Sequence, residues 1–190
     1  PWLAPRSVDA ATSLVWHEVA LRGNTSSEFE QQITELQPFL AQNWQAWGSD
    51  WETKQAAGRV FYWHEVGGEP VNQKLLPFLK AQTQDHCSFC DSDPVSPPSR
   101  DTIEHFRPKS RFPREAFHWP NLYFCCDYCQ QKEATKFDET LLRPDAEDYQ
   151  FDRYFRWDFT LGTLHPQEAA STEEQQRAAT TIGFFRLNEG

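Results

Sequence analysis

The sequence lacks methionine, repeats and any run near the roughly 20 apolar residues that cross a bilayer. Solenoid architectures and membrane spans are thereby excluded from the reading. The first residues have no basic-then-apolar secretory pattern, so the expectation is a cytoplasmic protein with no membrane partner. Cations are scarce. The 18 Lys and Arg stand against 28 Asp and Glu, a formal net charge of −10. That balance argues against a protein that coats nucleic acid unaided, because phosphate binding needs clustered cations.

What the chain does have is rings: 8 Trp and 15 Phe in 190 residues. Large aromatic side chains therefore carry much of the burial, and the length allows one core or a core with a satellite. The charge is also uneven. Between Arg100 and Arg114 five basic residues face only Asp101 and Glu104, a local +3 that leaves −13 on the remainder. A basic island in an acidic body suits local phosphate contact; a solvated loop with scattered charge is the plainer reading.

Apolar spacing predicts helices over 7–24 and 25–48, the second with Phe29, Ile33, Leu36, Phe39 and Leu40 on one stripe. A third is expected over 71–84, kinked or shortened at Pro77. Residues 91–100 form a Pro/Ser loop. Short extended pieces are expected at 102–106 and 121–125, then a helix over 127–137, a hairpin around Gly162 and a final helix from Ser171 to about Leu187. Three regions result: a helical 1–80, a central module 81–140, and an acidic, aromatic 141–190.

Four of the five cysteines form two Cys-x-x-Cys pairs, Cys87/Cys90 and Cys126/Cys129. Each pair presents two thiolates from one tight turn, and a structural Zn²⁺ joins the turns. Disulfides do not suit a reducing compartment. Cys125 reads as a small buried residue, and His86 and His118 are the only nearby substitutes for a thiolate ligand. The 35 residues between Cys90 and Cys126 exceed a zinc-ribbon spacing of about 15–20. The interval holds Glu104-His105 and Asn121, with Gln130 and Lys132 just beyond the second pair.

That order resembles an HNH endonuclease. "CSFC", "IEHFRPKS", "HWPNLYFCCDYCQQK", "LLRPDAEDYQFDRYFRW" and "TTIGFFRLNEG" together are similar to the PtuB-like HNH nucleases of Septu and retron-associated anti-phage systems. The resemblance implies an α+β fold, mainly helical and enclosing a zinc-braced ββα-metal module over 81–140. It also implies catalytic Mg²⁺ or Mn²⁺ on Glu104 and Gln130, and Asn121 bracing the loop and the histidine. Gln130 stands where that group usually has Asn; its carbonyl oxygen still suits a hard cation, displaced by one methylene. The implied partners are a nucleic acid substrate, an ATPase of the ABC or SMC type (PtuA-like), and in some systems a retron reverse transcriptase with its RNA–DNA product.

Phosphodiester hydrolysis needs an activated water, a cation on the developing charge and correct aim. His105, of a residue type titrating near pH 6.5, suits the general base. Arg107, Lys109 and Lys132 are the candidate phosphate contacts. The competing expectation is a non-catalytic, zinc-stabilised module that binds an ATPase or nucleic acid.

Overall fold

The computed structural model describes residues 27–92, 101–130, 136–146 and 149–189, with the backbone alone over 27–38. The helix expected over 7–24, most of the proline loop, and Lys132 lie outside the described residues.

Helix α1 (Ser27–Ala56) outruns the segment read as helical from the sequence, continuing through Gly48. The glycine is there for contact: a Cβ at Gly48 would lie 2.2 Å from the Arg114 carbonyl oxygen, so only glycine lets α1 meet the 3₁₀ turn Pro113–Glu115. A strap, residues 57–64, then leads to a small hairpin, β1 (Glu65–Val66) and β2 (Glu69–Pro70), turning at Gly67 and Gly68 with positive φ.

Helix α2 (Val71–Thr83) contains Pro77 without ending there, contrary to the expected shortening. Its buried face, Val71, Leu75, Phe78 and Leu79, packs with Leu122, Phe124 and Trp119. Burying each such side chain contributes about 1.5–3 kcal/mol, which outweighs the one helical hydrogen bond a proline removes. The helix stops at Gln84, left-handed at φ 53°, and delivers the chain to Cys87.

Strands β3 (Thr102–His105) and β4 (Leu122–Cys125) pair antiparallel, with Glu104 opposite Tyr123 and His105 opposite Leu122. Side chains alternate across a strand. Leu122 and Phe124, with Ile103, therefore join the α2 core, while Tyr123 joins Phe106, Phe137, Phe184 and Phe185 on the other side. Helix α3 begins directly after β4 at Asp127–Gln130 and packs back on β3.

The C-terminal region adds α4 (Phe151–Tyr154), β5 (Phe155–Asp158), β6 (Thr163–Pro166) and α5 (Thr172–Phe185). Gly162, at φ +65°, sits in the β5–β6 turn, as its sequence position suggested. Ser171 and Glu174 form a reciprocal capping box at the start of α5. The described chain is thus mixed α/β, with three two-stranded antiparallel sheets. No described helix is long and apolar enough to cross a membrane.

Candidate metal centre and adjoining hairpin

The two Cys-x-x-Cys turns meet. The sulfurs of Cys87, Cys90, Cys126 and Cys129 all lie within 4.8 Å of one another, with Cys90 Sγ and Cys126 Sγ 3.8 Å apart. Four sulfurs each 2.3 Å from a common tetrahedral ion would be separated by about 3.8 Å, so the spacing suits Zn²⁺. Backbone amides support the thiolates: Cys126 N–H donates to Cys87 Sγ and Cys129 N–H to Cys126 Sγ, both at 3.4 Å. The first turn is tied to the hairpin where Ser88 N–H donates to the Phe124 carbonyl at 3.0 Å.

The Cys126 thiol is held well below the ordinary value by the crowd of neighbouring thiols, Cys125 first and then Cys129, Cys87 and Cys90. Burial, first, pushes the Cys125 thiol well up; it donates to the Cys126 carbonyl at 3.1 Å and stays outside the set of four. Neither histidine substitutes for a thiolate. His86 bonds Asp91 at 2.8 Å, and His118 stacks on Trp44 with ring centres 4.2 Å apart.

The hairpin carries the other candidates. His105 is only 2 % exposed. Its Nε2 lies 2.9 Å from the Ala116 carbonyl oxygen. A carbonyl only accepts, so Nε2 carries a proton, and in the neutral ring Nδ1 holds the lone pair. Trp63 stacks on the imidazole with centres 5.6 Å apart, and Phe61 meets it edge-on at 5.5 Å. Both rings belong to the strap. Tyr62 ties the strap to α1, donating to Asp50 and accepting from Lys54, while His64 stacks on Trp47 at 4.8 Å. Comparison with known protein families and with curated proteins finds no match to this chain.

Glu104 is half-buried on the other strand face, with Oε1 accepting from His105 N–H at 2.8 Å. Gln130 is exposed in α3, the helix packed on β3. Asn121 is buried and clamps the loop after His105. Its Oδ1 accepts from Arg107 N–H at 2.7 Å, and its Nδ2 donates to the carbonyls of Arg107 at 3.0 Å and Glu115 at 3.1 Å.

Of the cations expected to meet phosphate, the two described ones, Arg107 and Lys109, are engaged within the chain. Arg107 donates to Glu115 at 2.7 Å and grips both oxygens of Glu139 at 2.8 and 2.7 Å. Lys109 lies over the Phe61 ring, 5.0 Å from its centre.

Sequence reasoning missed three features. The strap rings over His105 sit some 40 residues away in the chain, with no spacing rule connecting them. Glu115 and Glu139 are common surface residue types with nothing to mark them as partners of Arg107. The third feature had a signal, an arginine and an aspartate two apart in "RPD": Arg143 donates to the Tyr123 hydroxyl at 3.0 Å and to Asp145 at 3.3 Å, and that hydroxyl donates to buried Asp145 at 2.6 Å.

Proposed function

We propose that the chain is a metal-dependent endonuclease of the HNH type, hydrolysing nucleic-acid phosphodiester bonds as the effector of an anti-phage complex with an ATPase partner. The observation that carries the reading is the meeting of the four cysteine sulfurs. It holds the start of β3's connection and the start of α3 together, so Glu104, His105, Asn121 and Gln130 belong to one strand–strand–helix unit.

In this reading His105 takes the proton of the attacking water at Nδ1, the nitrogen left basic by the Ala116 contact. Asn121 fixes the loop that follows and so the aim of the imidazole. Glu104 and Gln130 supply hard oxygen donors, which suit Mg²⁺ or Mn²⁺; bound there, such a cation would offset charge developing on the phosphate. Arg107 reaches substrate phosphate by exchanging Glu139 for it.

The test is cleavage of end-labelled DNA and RNA strands by the zinc-loaded chain, wild type against Glu104→Gln, across a Mn²⁺ titration. Cleavage that requires Mn²⁺, with a raised Mn²⁺ requirement in the variant, is expected. Identical Mn²⁺ dependence in both proteins would remove Glu104 from the metal. A second reading, a non-catalytic module on the same scaffold, is favoured by the burial of His105 under Trp63 and Phe61, since a general base must meet water.

A further inference from the structure

Beside Asn121 the chain forms a half-open cavity of about 340 Å³. Its lining includes, beside Glu115 and Glu139, three arginines from distant parts of the sequence: Arg107 after β3, Arg143 from the segment before α4, and Arg177 from α5. Converging guanidinium groups repel one another, so a fold that gathers three of them must compensate the charge.

The compensation is uneven. Arg107 pairs with two carboxylates, Nη1 with Glu115 and Nη2 with Glu139. Arg143 meets Asp145 through Nη2 alone at 3.3 Å and spends its other bonds on the Tyr123 hydroxyl and the Pro120 carbonyl. Arg177 pairs with no carboxylate among the described residues; it bonds only the Thr140 carbonyl at 3.1 Å and the Tyr154 hydroxyl at 3.5 Å. Nη1 of Arg143 and Nη2 of Arg177 make no hydrogen bond among the described residues. Two donors of fixed charge thus border one concavity with unused capacity.

Burial lowers the proton affinity of the neighbouring His118, so it brings no further positive charge near neutral pH. Nη2 of Arg107 is held by a carboxylate from the same chain, Glu139, whose side chain is 60 % exposed.

We propose that this cavity is a phosphate-binding site, filled when a phosphate group displaces Glu139 from Arg107 and engages Arg143 and Arg177 as well. Phosphate fits better than a carboxylate ligand. A carboxylate has only two oxygens, and Glu139 spends both on one nitrogen of Arg107, whereas the oxygens of a phosphate serve several arginines together. Phe106, Pro120 and Leu141 add an apolar wall, which suits the sugar or base of a nucleotide over bare phosphate. Assigning the ligand to a nucleic-acid strand rests on the nuclease reading; the binding of phosphate does not.

The experiment is calorimetric titration of the full, zinc-loaded chain, without divalent cations so that nothing is cleaved. The probes are inorganic phosphate, adenosine 5′-monophosphate, and a short oligonucleotide with and without a 5′-phosphate. Saturable binding of the phosphate-bearing probes is expected, weakened about tenfold by Arg177→Gln, a loss typical of one charge-assisted contact, and tightened several-fold by Glu139→Gln. Tighter binding of the nucleotide than of inorganic phosphate identifies a nucleotide or strand-end site; equal binding identifies a free-phosphate site. No saturable binding, or binding that neither substitution changes, overturns the proposal. A chain that binds phosphate but cuts nothing keeps this inference and loses the nuclease reading. One that cuts but binds phosphate independently of Arg177 and Glu139 does the reverse.

Discussion

Replacing Cys126 by serine removes the sulfur on which the cluster converges. That sulfur lies in a buried residue, accepts from the Cys129 amide, and faces Cys90 at 3.8 Å. The join between the two turns spans 39 residues from Cys87 to Cys126. Treated as a cross-link on a flexible chain, closing a loop of that length stabilises the fold by roughly 4 kcal/mol. For a chain of this size each 1 kcal/mol moves the midpoint of thermal unfolding by about 2–4 °C, so a metal-loaded protein should lose roughly 8–16 °C on the substitution. Cys125→Ser is the control. Its buried thiol lies outside the set of four and donates to the Cys126 carbonyl, a bond a hydroxyl can make, and about 1 kcal/mol or less should be lost. The assay is circular-dichroism melting of wild type and both variants, with and without a zinc chelator. The chelator should lower wild type and Cys125→Ser to the level of Cys126→Ser and leave Cys126→Ser unchanged. Equal melting of the two variants, with no effect of chelator on wild type, would refute the metal brace.

Phe61→Ala removes one of the two rings covering His105; it should cost about 2 kcal/mol in denaturant unfolding and speed diethylpyrocarbonate modification of His105, read by mass spectrometry. An unchanged modification rate would mean that the strap does not shield the imidazole. Asp145→Ala leaves Arg143 and the Tyr123 hydroxyl without their buried acceptor and should destabilise by about 3 kcal/mol, whereas Thr140→Ala, at an exposed site, should fall within about 0.5 kcal/mol. The Glu174 carboxyl is pulled down to about 2, first by the Ser171 amide and then by Arg153. A depressed carboxyl stabilises the fold above its ordinary value and loses that contribution as pH falls through the folded value, so Glu174→Gln should flatten the loss of thermal stability between about pH 4.5 and pH 2.

The cysteine pairs were legible because ligand spacing within a tight turn is a local property, and so were the β3 and β4 positions, the Gly162 turn and the Ser171 start of α5. Where the chain departed from its local signals, packing decided. Gly48 reads as a helix end but marks a close crossing with the Arg114 backbone. Pro77 reads as a kink or an early end, yet the helix runs on through it, held by its buried face. The cover over His105 was not legible: the rings on it come from a strap with no periodic pattern. Likewise the basic island was legible as charge, but not the glutamates that pair with Arg107, which only the fold brings near.

The claim on which the functional reading turns is that one imidazole takes a proton from water. Its most direct test is the single-turnover rate of strand cleavage by His105→Ala, measured with and without added imidazole against the wild-type chain. Loss of a general base should slow cleavage by about 100-fold or more, with free imidazole restoring part of the rate. Cleavage by His105→Ala at the wild-type rate would contradict it.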